Sequence, residues 1–365
     1  MLLPAVTMLQ AAEPAGPIFF DPEQRRLELA SMGAAQRDAL CAAERKSWRS
    51  YKALTTVRDK DEYGIDERAE PFAMSVMDAA AEAYGLDNKV ARKHLVGILD
   101  RWADGRAFSK LKPPSPSAFY AVDRSLLPVI IAYWLTHDAP EMSKKKRQRI
   151  YAWIDGLVER GAVRRPTLDP KSRVANNNHS YLNASVIMAW SAMNRDADGL
   201  RIGIDSFRSA IDAMREDGSL PLETDRGGRA LWYQRHAIAS LVTIAEIAAA
   251  NDIDLYALED NGRSLHQAIA FLLNGIDDPN IVQPYAQDNA SPAPGTDPGV
   301  QDLSFLQERG HGRHYMAWAE PYMRRFPEHP NTARLSKLLL DEPSARPMSD
   351  DYSGGNMSCL FALTN

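Results

Sequence analysis

Segments of helical hydrophobic periodicity, separated by turn-forming residues, most constrain how this chain can fold. Apolar residues recur at helical spacing in segments of ordinary helix length. These segments are 73–84, 90–103, 124–136, 147–160, 182–193, 202–215, 230–250 and 263–274. Glycine, proline and aspartate lie between them, and the two-residue alternation of half-buried strands is scarce. The pattern predicts an all-α fold of antiparallel helix pairs, arranged as a toroid of helical hairpins or as a solenoid.

A single domain accounts for most of the chain. The sequence has 365 residues, 45% of them hydrophobic, which is enough for a large core. No linker-like stretch separates the periodic segments, so we predict one domain over residues 13–345. We expect an extended C-terminal segment over 346–365. Residues 284–300 are polar and contain several Pro and Gly residues, which predicts a long loop, either a rim of a site or an insertion.

The N-terminus and the cysteines bear on location. Residues 1–12 are apolar or small and resemble the end of a secretory signal peptide without its basic start, although an ordinary apolar N-terminus fits equally. This run is too short to span a membrane, and no span is expected elsewhere. We predict a periplasmic or secreted protein. Cys41 and Cys359 form no metal-binding or redox motif, and we expect free thiols, with pairing in an oxidising compartment as the alternative.

The charge of the chain limits its partners. The formal net charge is −5, and the sequence has no long basic block, so binding to nucleic acid is disfavoured. His311 and His314 are three residues apart among arginines, but the sequence shows no third metal ligand near them. A basic rim of a cleft, or a plain loop, is the better interpretation. No metal or other cofactor is predicted.

Two polar segments carry the residues with chemical potential. The first is Asn176 to Tyr181, just before an apolar helix, where an asparagine run alone indicates a loop and helix cap. The second contains Arg226, Arg229 and Tyr233, spaced three and four residues apart. These three side chains share one face if a helix begins there. A surface arginine pair beside a tyrosine at the edge of the core is the alternative, so each segment alone is a weak signal.

Together the two segments resemble the family 5 polysaccharide lyases, the alginate lyases. The match rests on Asn-Asn-His-Ser-Tyr at 177–181, Gly-Ser-Leu-Pro at 218–221, and Arg-x-x-Arg-Ala-Leu-x-Tyr at 226–233 before a long apolar helix. It is strongest over 176–278. The resemblance implies an (α/α) toroid, an incomplete barrel of helical hairpins with a deep substrate cleft. It also implies cleavage of a polyuronate by β-elimination without an obligatory metal.

The resemblance further implies a role for each motif residue. Removing the C5 proton of a uronate places a second negative charge beside its carboxylate, which donors must then stabilise. Asn178 and His179 would neutralise the carboxylate. Tyr233 would take the C5 proton as a phenolate and return a proton to the C4 oxygen, with Arg226 as its positive partner. This fits syn elimination. Further substrate contacts are predicted at Arg229, Tyr181, His236 and Trp318.

Departures from the family leave the substrate open. Leu182 stands where the family usually has a tryptophan, and we expect this to remove a surface on which a sugar stacks. The lid tyrosine of the family has no clear counterpart, since neither Tyr51 nor Tyr63 lies in the expected motif. We therefore predict an anionic polysaccharide substrate, alginate-like or a related exopolysaccharide. We expect a monomer, with partners in an exopolysaccharide system.

Two other functions remain as alternatives at this point. An α/α-toroid glycoside hydrolase would need a pair of carboxylates across the scissile bond, for which Asp217, Glu223 and Asp225 are candidates. A non-catalytic helical module that binds polysaccharide is the other alternative. Binding alone does not require a proton carrier, so the combination of His179 with Tyr233 favours the lyase.

Overall fold

The structure, a computed structural model, describes residues 15–43, 48–58, 67–288, 297, 299–308, 312–340 and 346–363. Residues 1–12, Tyr63 and His311, discussed above, lie outside this part. The helices are α1 (Pro22–Ser31), α2 (Ala34–Cys41), α3 (Glu70–Gly85), α4 (Lys89–Asp104), α5 (Pro116–Thr136), α6 (Lys144–Arg164), α7 (Arg173–Asn176), α8 (Asn178–Asn194), α9 (Ala197–Ala213), α10 (Pro221–Thr224), α11 (Ala230–Ala250), α12 (Leu265–Asp277), α13 (Gln283–Ala286), α14 (Ala319–Arg325), α15 (Pro330–Leu340) and α16 (Met357–Phe361).

The strands are short and form two small sheets. Strand β1 (Thr56–Arg58) pairs in parallel with β2 (Lys110–Lys112), and β3 (Ser349–Asp350) pairs antiparallel with β4 (Gly355–Asn356). Neither sheet extends beyond two strands in the described residues. The helices therefore carry the architecture.

The long helices form two layers, an inner and an outer one. Helices α3, α5, α8 and α11 pack side by side and are buried on almost every face. Their sequences are apolar all round, as expected of helices enclosed by others. Helices α4, α6, α9 and α12 pack outside them, each burying one apolar stripe and exposing charged residues. This is the predicted α/α toroid.

The inner helices α5 and α8 begin well before the residues that their periodicity predicts. Helix α8 begins at Asn178 rather than 182, because the side chain of Asn177 accepts a hydrogen bond from the backbone N–H of His179 and caps the first turn. Helix α5 begins at Pro116 rather than 124, with Ser115 as its cap. The motif that looked like a loop is thus the first turn of a helix. Helices α1, α2, α14 and α15 were not predicted.

The segment 346–363 packs inside the toroid and is extended only over β3 and β4. Its residues are almost all buried. The hydroxyl of Thr243 on α11 donates to the backbone oxygen of Tyr352 (3.3 Å), and the amide of Asn356 donates to the backbone oxygen of Leu40 (2.9 Å). Gly354 has φ +89°, and a Cβ there would lie 2.9 Å from the side chain of Ile131 on α5. This segment therefore belongs to the same core as the ring helices.

Cys41 and Cys359 form a disulfide, so the expectation of free thiols is wrong. The bond joins the end of α2 to α16 across 318 residues of sequence. A Cβ on Gly85 would overlap the sulfur atoms of both cysteines, so only glycine fits at that position on α3.

One helix in the described residues, α5, is long and apolar enough to cross a membrane. Its most apolar window has a mean hydropathy of 1.3, and 89% of that window is buried among other elements. Burial of this kind is typical of a core helix, which is the position that α5 occupies in the inner layer.

Candidate active site

The predicted catalytic residues meet where the inner helices begin. Tyr120, in the second turn of α5, donates a hydrogen bond to Asn178 at the start of α8 (3.1 Å). Tyr233 and His236 lie in the first two turns of α11, and the ring of Tyr352 contacts both His236 and Tyr120. The N-terminal ends of these helices carry the positive end of the helix dipole. The shared end of the inner layer therefore favours an anionic ligand.

Asn178 is held by partners on both ends of its side chain. Its backbone N–H donates to Oε1 of Glu223 (2.7 Å), and its amide Nδ2 donates to Oε2 of the same carboxylate (2.8 Å). Its Oδ1 accepts from Tyr120, whose hydroxyl is in turn 2.6 Å from the hydroxyl of Tyr352. Asn178 is fully buried, and the described residues accept only one of its two amide hydrogens. The second hydrogen remains for a ligand.

His179 is the partly exposed neighbour of Asn178. Its ring stacks on that of Tyr120, with centroids 3.8 Å apart. Burial and the positive charges of Arg226, Arg164 and Arg124 lower the pKa of His179 to about 3. The imidazole is therefore neutral near pH 7, and its Nδ1 has no hydrogen-bond partner among the described residues. A bound carboxylate would offset the surrounding positive charge and accept a hydrogen bond from this ring.

Arg226 and Tyr233 form the other half of the site. The guanidinium carbon of Arg226 lies 3.8 Å from the centroid of the Tyr233 ring. Arg226 is 8% exposed, whereas Tyr233 is partly exposed. Gly227, with φ +57°, turns the chain so that Arg226, which precedes α11, folds back over that tyrosine. Negative charge on the Tyr233 ring would therefore lie directly beside a fixed cation.

His236 lies one turn beyond Tyr233 and has a defined tautomer. The indole N–H of Trp232 donates to Nε2 of His236 (3.1 Å), which leaves the ring hydrogen on Nδ1. Burial, then Arg235 and Arg124, lower the pKa of His236 well below its usual value, so the ring is neutral. Its Nδ1 has no partner in the described part of the chain. His236 therefore offers one unused N–H donor beside Tyr233, whose ring centroid is 5.5 Å away.

Tyr352, from the C-terminal segment, forms the floor between the two halves. Its ring stacks on His236 with centroids 4.4 Å apart, and its hydroxyl bonds that of Tyr120. His179, Tyr120, Tyr352, His236 and Tyr233 thus form a continuous series of ring contacts from one half of the site to the other. Because each ring packs on the next, the two halves keep a fixed spacing.

A buried ion network supports this floor. The carboxylate of Asp351 forms ion pairs with Nε of Arg124 (2.8 Å) and with Nη2 of Arg313 (3.0 Å). Burial alone would raise the pKa of Asp351, but these two guanidinium groups outweigh it and lower the pKa. Arg124 also lies over the ring of Tyr352, 5.2 Å from its centroid. These ion pairs therefore hold the segment that carries Tyr352 in place beneath the site.

The structure does not bring every predicted residue to the cleft. Tyr181 is 4% exposed, and its hydroxyl donates to the backbone oxygen of Asn176 (2.8 Å). Trp318 is fully buried in the core. Neither ring has an exposed face on which a sugar could stack. Arg229 does not share a face with Arg226 as predicted, because α11 begins only at Ala230; its guanidinium lies 3.6 Å from Asp302.

Two further sequence interpretations need correction. Leu182 is fully buried in the core, so the residue at this position does not line the cleft and its identity does not decide whether a sugar can stack. Arg313 and His314 are 2% and 4% exposed, and Arg313 is paired with Glu70 and Asp351, so they form no basic rim. Among the described residues, no group of three or more His, Cys, Asp or Glu side chains is placed to hold a metal ion.

Sequence reasoning did not place Glu223, Tyr120 and Tyr352 at the candidate site together. Glu223 follows the Gly-Ser-Leu-Pro motif by two residues and was considered only as a hydrolytic carboxylate, because no local pattern signals its contact with the start of α8. Tyr120 lies on the cleft end of α5, within a stretch that was not predicted to be helical. Tyr352 follows no periodic segment, and only the path of the C-terminal segment brings it to the site.

The fold and the site define an α/α-toroid protein with a tyrosine, a neutral histidine and an arginine gathered where its inner helices begin. The chain belongs to the alginate lyase family, whose model matches residues 21–282. Among curated relatives, a polysaccharide lyase of Stenotrophomonas maltophilia is 34% identical over 161 residues, 44% of this chain and 47% of the relative. An alginate lyase of Pseudomonas paraeruginosa is 27% identical over 186 residues, 51% of this chain and 44% of the relative. The matched part of the chain thus spans about half the length of these relatives.

Solved structures share the fold over nearly the whole chain. A histidine-to-alanine variant of alginate lyase A1-III, complexed with a tetrasaccharide, has a TM-score of 0.77 at 21% identity and covers 98% of both chains. Alginate lyase A1-III from Sphingomonas species A1 has a TM-score of 0.75 at 22% identity and covers 94% of this chain and 95% of that one. An alginate lyase from Bacteroides ovatus has a TM-score of 0.63 at 14% identity and covers 96% and 100%. These similarities establish the fold.

Proposed function

We propose that the protein is a polysaccharide lyase that cleaves a uronic-acid-containing polysaccharide by β-elimination. The observation that carries the proposal is the pairing of Tyr233 with Arg226, 3.8 Å from guanidinium carbon to ring centroid, opposite the neutral His179. This reaction requires a group that carries the proton, a cation beside it and hydrogen-bond donors that bind the carboxylate of the uronate. Tyr233, Arg226 and His179 can supply them. Family membership and the tetrasaccharide bound by a structural neighbour agree with this chemistry.

In the proposed reaction, Tyr233 acts as both base and acid. As a phenolate it removes the proton from C5 of the uronate, and the electron pair of that C–H bond forms the C4–C5 double bond. The C4–O bond breaks, and the proton from Tyr233 passes to the departing glycosidic oxygen. Arg226 balances the negative charge of the phenolate. Because one residue serves both steps, proton and leaving group lie on the same side, as in syn elimination.

The carboxylate of the uronate would be held by His179 and Asn178. His179 makes the exposed contact through its ring, and Asn178 contributes the amide hydrogen that Glu223 does not accept. His236 adds its Nδ1–H donor at the Tyr233 side of the site. Arg229, which is 38% exposed at the start of α11, is a further rim contact for the polyanion. Together these donors stabilise the charge that builds up when C5 loses its proton.

The carboxylates considered for hydrolysis are committed to structural partners. Both oxygens of Glu223 accept from Asn178, and Asp225 pairs with Arg173. Asp217 accepts from Ser219 and from the hydroxyl of Tyr285. A hydrolase needs two carboxyl groups free to face the scissile bond. The arrangement therefore favours elimination over hydrolysis.

We further propose that the protein acts outside the cytoplasm, in the periplasm or after secretion. The Cys41–Cys359 disulfide supports this location, because such bonds persist in oxidising compartments. Action as a monomer within an exopolysaccharide system is consistent with a polyanionic substrate.

The proposal is tested by incubating the purified protein with a panel of polyuronates. Elimination creates a C4–C5 double bond conjugated to the carboxylate, and its ultraviolet absorbance reports the reaction directly. We expect absorbance to rise with at least one uronate polymer and to stay at background with neutral glucans. A folded protein that releases reducing ends without this absorbance would instead be a hydrolase.

A further inference from the structure

A cluster of basic side chains lies at the end of the toroid opposite the candidate site. The segments 87–93 and 138–147 together contain seven Lys or Arg residues and only three Asp or Glu residues, whereas the whole chain has a net charge of −5. The local charge is therefore opposite in sign to that of the molecule. We name the seven cations the basic surface: Lys89, Arg92, Lys93, Lys144, Lys145, Lys146 and Arg147.

Two outer helices bring these cations together. Nε of Arg92, in the first turn of α4, lies 2.8 Å from the carboxylate of Glu141, just before α6. Further along, Arg149 of α6 pairs with Asp100 of α4, so the two helices run parallel with their first turns side by side. Helix α5 begins at the candidate site and ends shortly before α6, and its 21 residues span about 30 Å. The basic surface therefore lies on the order of 30 Å from the cleft.

Most of these cations have no partner within the protein. Arg92 is ion-paired, and Lys146 donates to the backbone oxygen of Glu141. Five others are exposed, and their side chains form no hydrogen bond or ion pair within the described part of the chain: Lys89, Lys93, Lys144, Lys145 and Arg147. On other outer helices, by contrast, Arg201 and Arg334 pair with neighbouring carboxylates. The positive charge of the basic surface is thus left for an external anion.

The positions of these cations work against the stability of their helices. The N-terminal end of a helix carries partial positive charge, which favours acidic residues in the first turn and disfavours basic ones. Helices α4 and α6 have no acidic residue there, and α6 begins with four consecutive cations that also repel one another. Four other helices carry an acid in the first turn: Glu23 in α1, Glu70 in α3, Asp198 in α9 and Glu320 in α14. Helix stability does not account for the cations of the basic surface, which favours a role in binding.

The form of the basic surface fits a long polyanion. Its cations are long, exposed side chains spread over two helices, which suits repeated contacts with a chain of anions better than capture of one small anion. Stable docking on a membrane needs apolar side chains as well as charge. Across 87–93 and 138–147, which are described throughout, Val90 is the one large apolar side chain that is exposed. An acidic polysaccharide is therefore a better fit than a lipid surface.

We propose that the basic surface is a second, non-catalytic site that binds an acidic polysaccharide chain away from the cleft. The choice of polysaccharide rests on the proposed lyase function. Because the two sites are about 30 Å apart, a short oligosaccharide does not reach both, whereas a long chain does. The second contact on a long chain then benefits from a high effective concentration. The basic surface therefore raises the affinity for long polymer and leaves the binding of short chains in the cleft unchanged.

Binding is measured in a Tyr233→Phe background, so that polymer binds without being cut. A test variant removes three cations of the basic surface, and a control variant removes three exposed cations on α9 and α15: Lys93→Gln/Lys144→Gln/Lys145→Gln and Arg201→Gln/Arg208→Gln/Lys337→Gln. Calorimetry at constant salt compares long polymannuronate with its tetrasaccharide. For the test variant we expect the Kd of long polymer to rise about tenfold with a weaker dependence on salt. Its Kd for the tetrasaccharide, and both Kd values of the control variant, should stay within about twofold of the parent.

An unchanged Kd for long polymer in a test variant that unfolds at the temperature of the parent overturns the proposal, and so does an equal rise in the control variant. Sedimentation with phosphatidylglycerol vesicles tests a lipid surface instead. Retention on vesicles that depends on the three lysines, without any effect on polymer binding, also overturns the proposal. Absence of lyase activity in the wild type on every polyuronate, with the lysine-dependent Kd retained, would refute the proposed reaction and leave the binding surface standing.

Discussion

Glu223 accepts two hydrogen bonds from a single residue, Asn178: one from the backbone N–H at 2.7 Å and one from the amide Nδ2 at 2.8 Å. The carboxylate thereby fixes both the first turn of α8 and the orientation of the Asn178 amide. The amide oxygen is directed to Tyr120, away from any anion. Glu223 is a positioning residue, because it would act on the substrate through Asn178 and the adjacent His179.

Both carboxylate oxygens of Glu223 accept hydrogen bonds from Asn178. In Glu223→Gln, one of these oxygens is replaced by an NH₂ group, which donates and cannot accept. One of these bonds is lost, at a cost of about 1–3 kcal/mol for an unpaired buried group, and the amide of Asn178 can rotate. We expect kcat to fall about 10- to 100-fold with KM nearly unchanged, as measured by initial rates on the preferred uronate. Glu216→Gln, at an exposed site on the same segment, is the control. Wild-type kcat in Glu223→Gln would show that the carboxylate does not orient Asn178.

Replacing Tyr233 with Phe removes the proposed proton carrier but keeps the ring that stacks on Arg226. We expect kcat to fall by at least about 10²- to 10⁴-fold, the usual contribution of general acid–base catalysis. Substrate binding, measured by calorimetry, should stay within about threefold, since the lost hydroxyl accounts for little of the binding energy. Tyr151→Phe, on the exposed face of α6, should behave as wild type. Substantial turnover by Tyr233→Phe would move the proton-transfer role to another group.

The buried carboxyl of Asp123 should make stability depend on pH. Burial raises its pKa from 3.8 to about 7, so between these values the folded protein keeps a proton that the unfolded chain has lost. The contribution of Asp123 to the free energy of unfolding is therefore fully present below about pH 4 and is lost as pH rises to about 7. The Asp123→Asn variant has no carboxyl at this position, so its stability does not fall over this pH interval for that reason. The free energy of unfolding of this variant should gain on that of wild type by roughly 4 kcal/mol over this interval, and stay level above it.

Urea unfolding at about pH 5 and about pH 8 measures this difference. Other titrating groups, including His179 and Glu223, are present in both proteins and cancel in the comparison. Asp212→Asn, at an exposed position on α9, should show the same pH dependence as wild type. A difference between Asp123→Asn and wild type that does not change with pH would mean that Asp123 is ionised throughout in the folded protein.

Breaking the Cys41–Cys359 bond should lower stability and leave the chemical step alone. The bond closes a loop of most of the chain, and a native disulfide typically contributes about 2–4 kcal/mol. We expect a Cys41→Ser/Cys359→Ser variant to unfold at a lower temperature than wild type, with an unchanged kcat at a temperature where both are folded. A reducing agent should lower the Tm of wild type only. Equal Tm values under oxidising conditions would show that the bond contributes no net stability.

The fold was largely predictable because its signal is local. Inner helices such as α11 are apolar all round, and the length of the apolar run gives the length of the helix. The bounds 230–250 were therefore predicted to the residue. Helix starts were less predictable, since a cap such as Asn177 depends on one side-chain hydrogen bond rather than on periodicity. The burial of the segment 346–363 could not be predicted, because it depends on packing against helices that are distant in sequence.

The site was predictable only where residues are near in sequence and share a helix start. The pairing of Arg226 with Tyr233 followed from the resemblance to the alginate lyases, although the arginine lies before the helix and not on its face. Arg229 and Trp318 were predicted from the same kind of reasoning, yet one lies at the rim and the other in the core. Tyr352 joins the site from more than a hundred residues away, and no local pattern reports such a contact.

The position of Tyr352 in the chain has a consequence for biosynthesis. A ribosome makes every ring helix before it reaches this residue, so a growing chain can form the toroid while its floor is still missing. The Tyr120 hydroxyl and the His236 ring then lack their shared partner. A nascent chain should therefore be inert until synthesis has passed residue 352, and a stop codon shortly before that position should leave an inactive product.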